Sequence, residues 1–177
     1  MDNAILLESG KFYSYTNPEN NEFNIDDIAL SLSNICRYSG QIKKFFSVAQ
    51  HSYLVSFAVD PKYAMDGLLH DAVEAFMVDV PTPAKRLLPD YKVMEKLHEA
   101  EMFKRFGLEY PMNPAVHKAD FEMFCAEVRD MKDHHPHWDK ICTADTSHIA
   151  PIKPWTPYMS RKMFLKRYYQ LLAKEAK

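Results

Sequence analysis

The sequence predicts an all-α protein that folds as a single domain over residues 1–177. Apolar residues recur at helical spacing along most of the chain, whereas the alternating pattern of a half-buried strand is rare. A length of 177 residues suits one domain. Hydrophobic residues make up 47% and charged residues 26% of the chain, which is typical of a globular protein and excludes collagenous and low-complexity classes.

The first predicted elements are a short strand or hairpin and two helices. Residues 11–23 mix aromatic side chains with an Asn-Pro-Glu turn cluster, which favours a strand or the edge of a hairpin. Asn24 is a capping residue, and the acidic and apolar residues after it predict a helix over residues 25–37. Ser47 is expected to cap a second helix, which ends near Val59.

A third predicted helix carries the most apolar face. Asp60 and Pro61 suit the first positions of a helix, and apolar residues continue at helical spacing to Met77. The sequence therefore predicts one continuous helix over residues 61–77. Three prolines between residues 78 and 91 then break the pattern, so a bend with a short helical turn is expected there.

The second half of the chain predicts three longer helices and one loop. Asp90 opens a polar amphipathic helix that ends before Gly107, a residue suited to helix termination. A helix over residues 114–131 follows. The proline-rich residues 132–156 are expected to cross the surface as an extended loop, and a last helix spans residues 157–173.

Charge and cysteine content argue against several partners. The chain has 22 Lys and Arg against 24 Asp and Glu, and no basic block could neutralise a run of phosphates, so no nucleic acid polymer is expected as a partner. No stretch approaches the roughly 18 apolar residues of a spanning helix, so no membrane partner is expected. Three scattered cysteines and the absence of a basic N-terminal region favour a reducing, cytoplasmic location.

Histidines and carboxylates on three predicted helices could converge on one metal ion. His51 lies in the second helix, and His70 and Asp71 lie late in the third. Asp120 lies in the first turns of the helix over residues 114–131. Imidazole and carboxylate are common ligands of divalent metals when rigid elements position them. For any single histidine, however, a structural role in the core or on the surface is commoner.

The context of His70 and Asp71 favours a metal. Both interrupt the apolar sequence GLLHDAVEA, where an uncompensated charge would be costly. A buried ionisable pair usually has a partner, and a metal ion is one candidate. The histidines within residues 134–137 lie in a proline-broken loop, and their spacing is not typical of a zinc motif.

Three segments resemble the HD-domain metal-dependent phosphohydrolases. SVAQHS contains the single histidine of their pattern, GLLHDAVEAFMVDVPTP the adjacent His-Asp pair, and HKADFEMFCAEVRD the distant Asp. The resemblance covers about residues 25–131 and implies an HD-domain helical bundle. It is closest to the YfbR-type 5′-deoxynucleotidases and the phage DatZ-type dATP triphosphohydrolases. The chain length and the segment GQIKKFFSVAQHS favour the phage branch.

The resemblance implies a metal site and two catalytic carboxylates. The ligands of one divalent ion (Zn, Co, Mn or Mg) would be His51, His70, Asp71 and Asp120. Glu74 follows His70 by one helical turn and would handle the proton of the attacking water or of the leaving group. Asp79 would orient water or the sugar. On the residues alone, Asp79 could equally cap the short helix after it.

The resemblance also implies substrate-binding residues. Arg37 would contact phosphate or sugar, and Lys85 and Lys118 would bind phosphate, although either lysine could be an ordinary solvated side chain. Tyr38 stands where the YfbR-type proteins have a tryptophan that crowds out a ribose 2′-hydroxyl. We therefore expect Tyr38 to form a modest steric wall, and the backbone at Gly40 to lie beside it at the mouth of the pocket.

Together these residues imply metal-assisted hydrolysis of a phosphate ester in a small deoxynucleotide. The favoured interpretation is a dATP or other dNTP triphosphohydrolase that releases deoxynucleoside and triphosphate. In a phage whose DNA uses 2-aminoadenine, this reaction would remove adenine nucleotide from the host cytoplasm. A 5′-deoxynucleotidase acting on dNMPs and a catalytically silent nucleotide-binding module are the alternatives. The resemblance also implies a homo-oligomer, either a dimer or a hexamer.

Overall fold

A small antiparallel hairpin precedes the helices in the computed structural model, which describes residues 3–175. Strand β1 (Ala4–Leu6) pairs with β2 (Phe12–Ser14). The second strand lies within the predicted range of 11–23, and the first lies before it. The all-α class with a short N-terminal hairpin is confirmed.

Helices form most of the remaining chain. They are α1 (Ile25–Asn34), α2 (Val48–Ala58), α3 (Ala64–Leu69), α4 (Glu74–Met77), α5 (Thr82–Lys85), α6 (Pro89–Phe106), α7 (Pro114–Met131), α8 (Pro136–Ile141) and α9 (Pro157–Glu175). The side chains of Asn24, Ser47 and Asn113 accept backbone amides and so cap α1, α2 and α7. Over residues 3–175, no helix has both the length and the apolarity needed to cross a bilayer.

Helix α1 ends earlier than the sequence predicts. Its last residue is Asn34 rather than residue 37. The chain then extends beside the segment that leads into α2: Arg37 donates its backbone amide to the carbonyl of Phe46 at 2.9 Å, and Ile35 accepts from Val48 at 3.1 Å. These long-range hydrogen bonds replace the last helical turn. Arg37 therefore projects from an extended segment and not from a helix.

The single helix predicted over residues 61–77 is wrong, because the segment is broken into a 3₁₀ turn, α3 and α4. Between α3 and α4, the amide of Ala72 donates to the carbonyl of Leu69, and that of Glu74 donates to Asp71, at 2.9 and 3.0 Å. These bonds span three residues instead of four. The tighter turn rotates successive side chains by about 120° instead of 100°.

Helices α2 and α3 pack unusually closely at Gly67. A Cβ atom at this position would lie 3.0 Å from the Val59 side chain and 3.2 Å from the Cα atom of Ser56. Only glycine allows this approach without a shift of one helix. Because His51 lies in α2 and His70 directly follows α3, the close packing brings the two imidazoles toward each other.

The predicted loop over residues 132–156 crosses the surface but contains the short helix α8. Its last part is attached to α2 through Gln50. The Gln50 side chain donates to the carbonyl of Lys153 at 2.8 Å and accepts from the amide of Trp155 at 2.8 Å. The loop thus braces the helix that carries His51.

Val78 leaves α4 in a strained conformation. Its φ of 68° and ψ of 146° lie in a region that β-branched residues rarely adopt. The hydroxyl of Tyr91 donates to the carbonyls of Met77 and Val78 at 2.7 and 3.2 Å. Tyr91 therefore fixes the turn that leads to Asp79.

We expect Val78→Gly to leave the Tm unchanged or to raise it. Relief of about 1–3 kcal/mol of strain should outweigh the roughly 0.5–1 kcal/mol that glycine costs in conformational entropy. The Val78 side chain is 57% exposed, so its removal loses little buried area. Val93→Gly, at a 62% exposed position inside α6, is the matched control and should lower the Tm. The Tm of each variant is measured by thermal unfolding monitored by circular dichroism. A decrease of equal size in both variants would contradict the assignment of strain.

Candidate metal site

Two buried histidines face each other between α2 and the turn after α3. The Nε2 atoms of His51 and His70 are 3.3 Å apart, and the two residues are 0% and 4% exposed. Two imidazole nitrogens at this distance either share a proton or direct their lone pairs at one cation.

Two aspartates complete the cluster. Asp120 Oδ1 lies 3.0 Å from His51 Nε2 and 3.8 Å from His70 Nε2. Asp71 Oδ2 lies 3.2 Å from His70 Nε2 and 3.7 Å from His51 Nε2. Ligands about 2.1 Å from one tetrahedral ion lie about 3.4 Å from each other. The group of His51, His70 and Asp120 could therefore hold a divalent ion.

The Nδ1 atoms of both imidazoles, which point away from the cluster, contact hydrogen-bond acceptors. His51 Nδ1 lies 2.5 Å from Glu127 Oε1, and His70 Nδ1 lies 2.9 Å from the carbonyl oxygen of Gly67. Burial alone would raise the pKa of Glu127, but Arg37 and His51 lower it, so Glu127 is an ionised acceptor. Each Nδ1 can therefore donate, so both Nε2 atoms could present lone pairs to a cation at the cluster centre. This arrangement fits a metal site.

The charged groups of the cluster shift one another's pKa values. Burial and Arg37 would lower the pKa of His51, but Glu127 and Asp120 raise it overall. Burial alone would raise the pKa of Asp120, but hydrogen bonds from His51 and His70 lower it far below its usual range. The buried imidazoles are thus surrounded by negative charge, which is the environment that a divalent cation requires.

Glu74 is a buried carboxyl group beside the cluster. It is 8% exposed, and its Oε2 atom has no hydrogen-bond partner among residues 3–175. Burial raises its pKa well above the usual value, and the charges of Asp71 and Asp79 add to the shift. An unsatisfied buried carboxyl is costly for stability, and perturbed groups of this kind cluster at functional sites.

Asp79 follows the strained turn at Val78 and is half-buried. Burial raises its pKa, Arg37 opposes the shift, and Asp71 adds to it. The predicted alternative role was to cap the next helix. Helix α5 instead follows Pro81, and within the described residues no side chain caps it. Asp79 therefore stays available to the site.

Arg37 and Tyr38 lie next to the cluster. Arg37 Nη1 is 3.6 Å from Asp71 Oδ2, and Arg37 Nε donates to Glu127 at 3.1 Å. The Tyr38 hydroxyl donates to the same Glu127 oxygen at 2.8 Å. Tyr38 and the two residues after it, the last of which is Gly40, all have positive φ angles. Gly40 is exposed.

The two predicted phosphate-binding lysines differ in position. Lys85 lies in α5 at the edge of the site, where its ammonium group contacts Glu95 at 2.6 Å. Lys118 is 78% exposed and pairs with Glu122 at 3.7 Å. Side chains two positions apart in an α-helix point in directions about 200° apart. Lys118 and Asp120 therefore project from opposite sides of α7. The structure therefore does not bring Lys118 to the cluster.

Glu127 is the site residue that the sequence analysis missed. Its carboxylate is 0% exposed and contacts His51, Arg37 and Tyr38. It follows Asp120 by seven residues, which places both on nearly the same face of α7. An acidic residue two helical turns beyond a proposed ligand, on an otherwise buried face, is the signal that could have identified it.

Similarity to known proteins extends over almost the whole chain. Over 164 residues, the chain is 39% identical to the uncharacterized protein YfdR of Escherichia coli (strain K12), and the match covers 92% of each chain. The chain belongs to the YfdR family. A second relative is the uncharacterized protein RCAP_rcc00048 of Rhodobacter capsulatus, 32% identical over 126 residues, which cover 63% of this chain and 64% of the relative. No known protein-family profile matches the chain.

We expect His70→Ala to abolish binding of a divalent ion, because it removes a ligand atom from the centre of the cluster. Metal content after equilibrium dialysis against Mn²⁺ or Zn²⁺, measured by plasma mass spectrometry, tests this. His117→Ala changes an exposed histidine on α7 and is the matched control, which should keep the metal content of the wild type. Equal metal content in both variants would refute the site.

Proposed function

We propose that this YfdR-family protein is a metal-dependent phosphohydrolase of the HD-domain type that acts on deoxynucleotides. The favoured activity is hydrolysis of dATP or another dNTP to deoxynucleoside and triphosphate. One observation carries the proposal: the buried imidazoles and aspartates converge on one point beside an unpaired, buried glutamate. A site that only stabilised the fold would not need the glutamate.

His51, His70 and Asp120 would hold the ion, with Asp71 as a fourth ligand. A divalent ion bound there would supply Lewis-acid polarisation of a phosphoryl oxygen and a lowered pKa for a water molecule. Arg37 Nη1 lies on the Asp71 side of the cluster, where its charge can stabilise the negative charge that develops on the α-phosphoryl group. Bulk water has little access to the imidazoles of His51 and His70, which are 0% and 4% exposed.

Glu74 is proposed to exchange the proton. Burial raises its pKa well above the usual value, which favours a protonated carboxyl that could give its proton to the 5′-oxygen of the leaving deoxynucleoside. After that step, the carboxylate can accept a proton from water. Asp79, two residues beyond the end of α4, is proposed to orient the sugar or the water molecule.

One observation favours 5′-deoxynucleotidase activity as a second candidate. The nearest cations are already paired with carboxylates: Arg37 Nε with Glu127 at 3.1 Å, and Lys85 with Glu95 at 2.6 Å. Little uncompensated positive charge is then left for a β- and a γ-phosphate. A monophosphate places less charge outside the metal site and would need fewer cations.

Product analysis separates the candidates. The protein is loaded in turn with Mn²⁺, Co²⁺, Zn²⁺ or Mg²⁺ and incubated with each dNTP, each dNMP and ATP, and the products are separated by ion-exchange chromatography. We expect deoxynucleoside and tripolyphosphate from dATP. Phosphate released only from dNMPs would establish the 5′-deoxynucleotidase. Metal binding with no turnover of any nucleotide would favour the catalytically silent nucleotide-binding module.

Glu74→Gln should retain the metal and lose most turnover. The amide matches the carboxyl in shape but cannot exchange a proton, and general acid–base catalysis contributes about 10² to 10⁴ in rate. Glu122→Gln, at a carboxylate of α7 that pairs with Lys118, is the control and should leave kcat unchanged. Loss of metal from Glu74→Gln would reassign the residue as a ligand, and full turnover would exclude it from catalysis.

A further inference from the structure

The Glu127 carboxylate is a junction between the metal cluster and the segment that carries Arg37. Its Oε1 atom accepts from His51 Nδ1 at 2.5 Å. Its Oε2 atom accepts from Arg37 Nε at 3.1 Å and from the Tyr38 hydroxyl at 2.8 Å. Three donors from two separate elements therefore meet on one side chain, and both carboxylate oxygens are needed to satisfy them.

A structural role in the core would not require this carboxylate. Glu127 is 0% exposed, and a buried carboxylate is unfavourable unless charged and polar partners surround it. Its neighbours on the same helix, Met123 and Ala126, are buried and apolar. An apolar side chain of similar volume would therefore fill the space. The charge is useful only for the groups that it contacts.

Helix α7 fixes the distance between the junction and the cluster. Asp120 and Glu127 are seven residues apart, so they lie on nearly the same face and about 10 Å apart along the axis. Helix α7 thus places an Asp120 oxygen beside His51 Nε2 and a Glu127 oxygen beside His51 Nδ1. The His51 ring is held at both nitrogens by the same rigid element.

The contacts also determine how Arg37 and Tyr38 can meet a ligand. Arg37 Nε is committed to Glu127, whereas Nη1 is 3.6 Å from Asp71 Oδ2, longer than a hydrogen bond. The Nη edge therefore faces Asp71 at ion-pair distance without a hydrogen bond to it, and it could also contact an anion. The Tyr38 hydroxyl is committed as well, which leaves its ring as the part that can contact a sugar.

We propose that Glu127 is a positioning residue that holds a metal ligand, His51, and the anion-binding pair Arg37 and Tyr38 in one fixed arrangement. The proposal rests on the proposed function, because it assigns those three residues to the site of that reaction. It predicts that metal affinity and nucleotide affinity are coupled through one side chain that touches neither ligand.

Glu127→Gln tests the proposal, because glutamine has the same shape but only one acceptor oxygen. If that oxygen stays with His51 Nδ1, the amide NH₂ group faces the donors of Arg37 and Tyr38. We expect the KM for dATP to rise at least about tenfold with a smaller change in kcat. The dissociation constant for Mn²⁺ should change by less than about tenfold. Glu127→Ala removes both acceptors and should weaken Mn²⁺ binding by about 10 to 100-fold.

Tyr38→Phe supplies a second, milder variant, because it removes one hydrogen bond and keeps the ring. It should raise the KM for dATP in the wild type and have little further effect in the Glu127→Gln background. Glu122→Gln changes a 19% exposed carboxylate on the same helix that pairs with Lys118, and it is the matched control for both measurements. Additive effects of Tyr38→Phe and Glu127→Gln, or an unchanged KM in folded Tyr38→Phe, would overturn the proposal.

The Mn²⁺-binding measurements keep this test separate from the test of the proposed function. If the wild type hydrolyses no nucleotide, the proposed function fails, and Mn²⁺ titration by calorimetry still decides the role of Glu127. Weaker Mn²⁺ binding in Glu127→Ala than in Glu122→Gln supports the positioning of His51. Equal Mn²⁺ affinity in these two variants, with both folded by circular dichroism, overturns it.

Discussion

The close approach of α2 and α3 at Gly67 is the constraint on which the site depends. A side chain at this position would meet Val59 and the backbone of Ser56 at 3.0–3.2 Å and would separate the helices. The carbonyl of Gly67 also accepts from His70 Nδ1 at 2.9 Å, so the same residue sets the distance between the helices and the orientation of one imidazole. The 3.3 Å separation between His51 and His70 follows from both effects.

The charge around the imidazoles suits a bound cation. The carboxyl groups around the site are Asp71, Glu74, Asp79, Asp120 and Glu127. The guanidinium of Arg37 lies among them, and Lys85 at the edge is shared with Glu95. Such an excess of buried negative charge is unfavourable without compensation. A divalent ion and a proton on Glu74 together would supply the missing positive charge.

The sequence predicted the elements that local signals determine. Asn24 and Ser47 cap helices where predicted, and Gly107 ends α6 with a φ of 67°. Hydrophobic spacing could not reveal the break after α3, because the apolar pattern continues through it.

Tertiary contacts account for what the sequence did not predict at the site. The hydrogen bond between Arg37 and Phe46 ends α1 early and moves Arg37 to the cluster. The resemblance identified ligand types by their order along the chain. Glu127 has no place in that order, because its contacts with His51 and Tyr38 arise only when α7 packs on α2.

Two strained segments border the site, and a tyrosine hydroxyl stabilises each. Tyr38 has a φ of 59°, and its hydroxyl donates to Glu127. Val78 has a φ of 68°, and Tyr91 donates to its carbonyl and to that of Met77. Strained conformations persist only where surrounding contacts determine them. Because both segments are fixed by contacts within the protein, a ligand bound at the site would lose little interaction energy to ordering them.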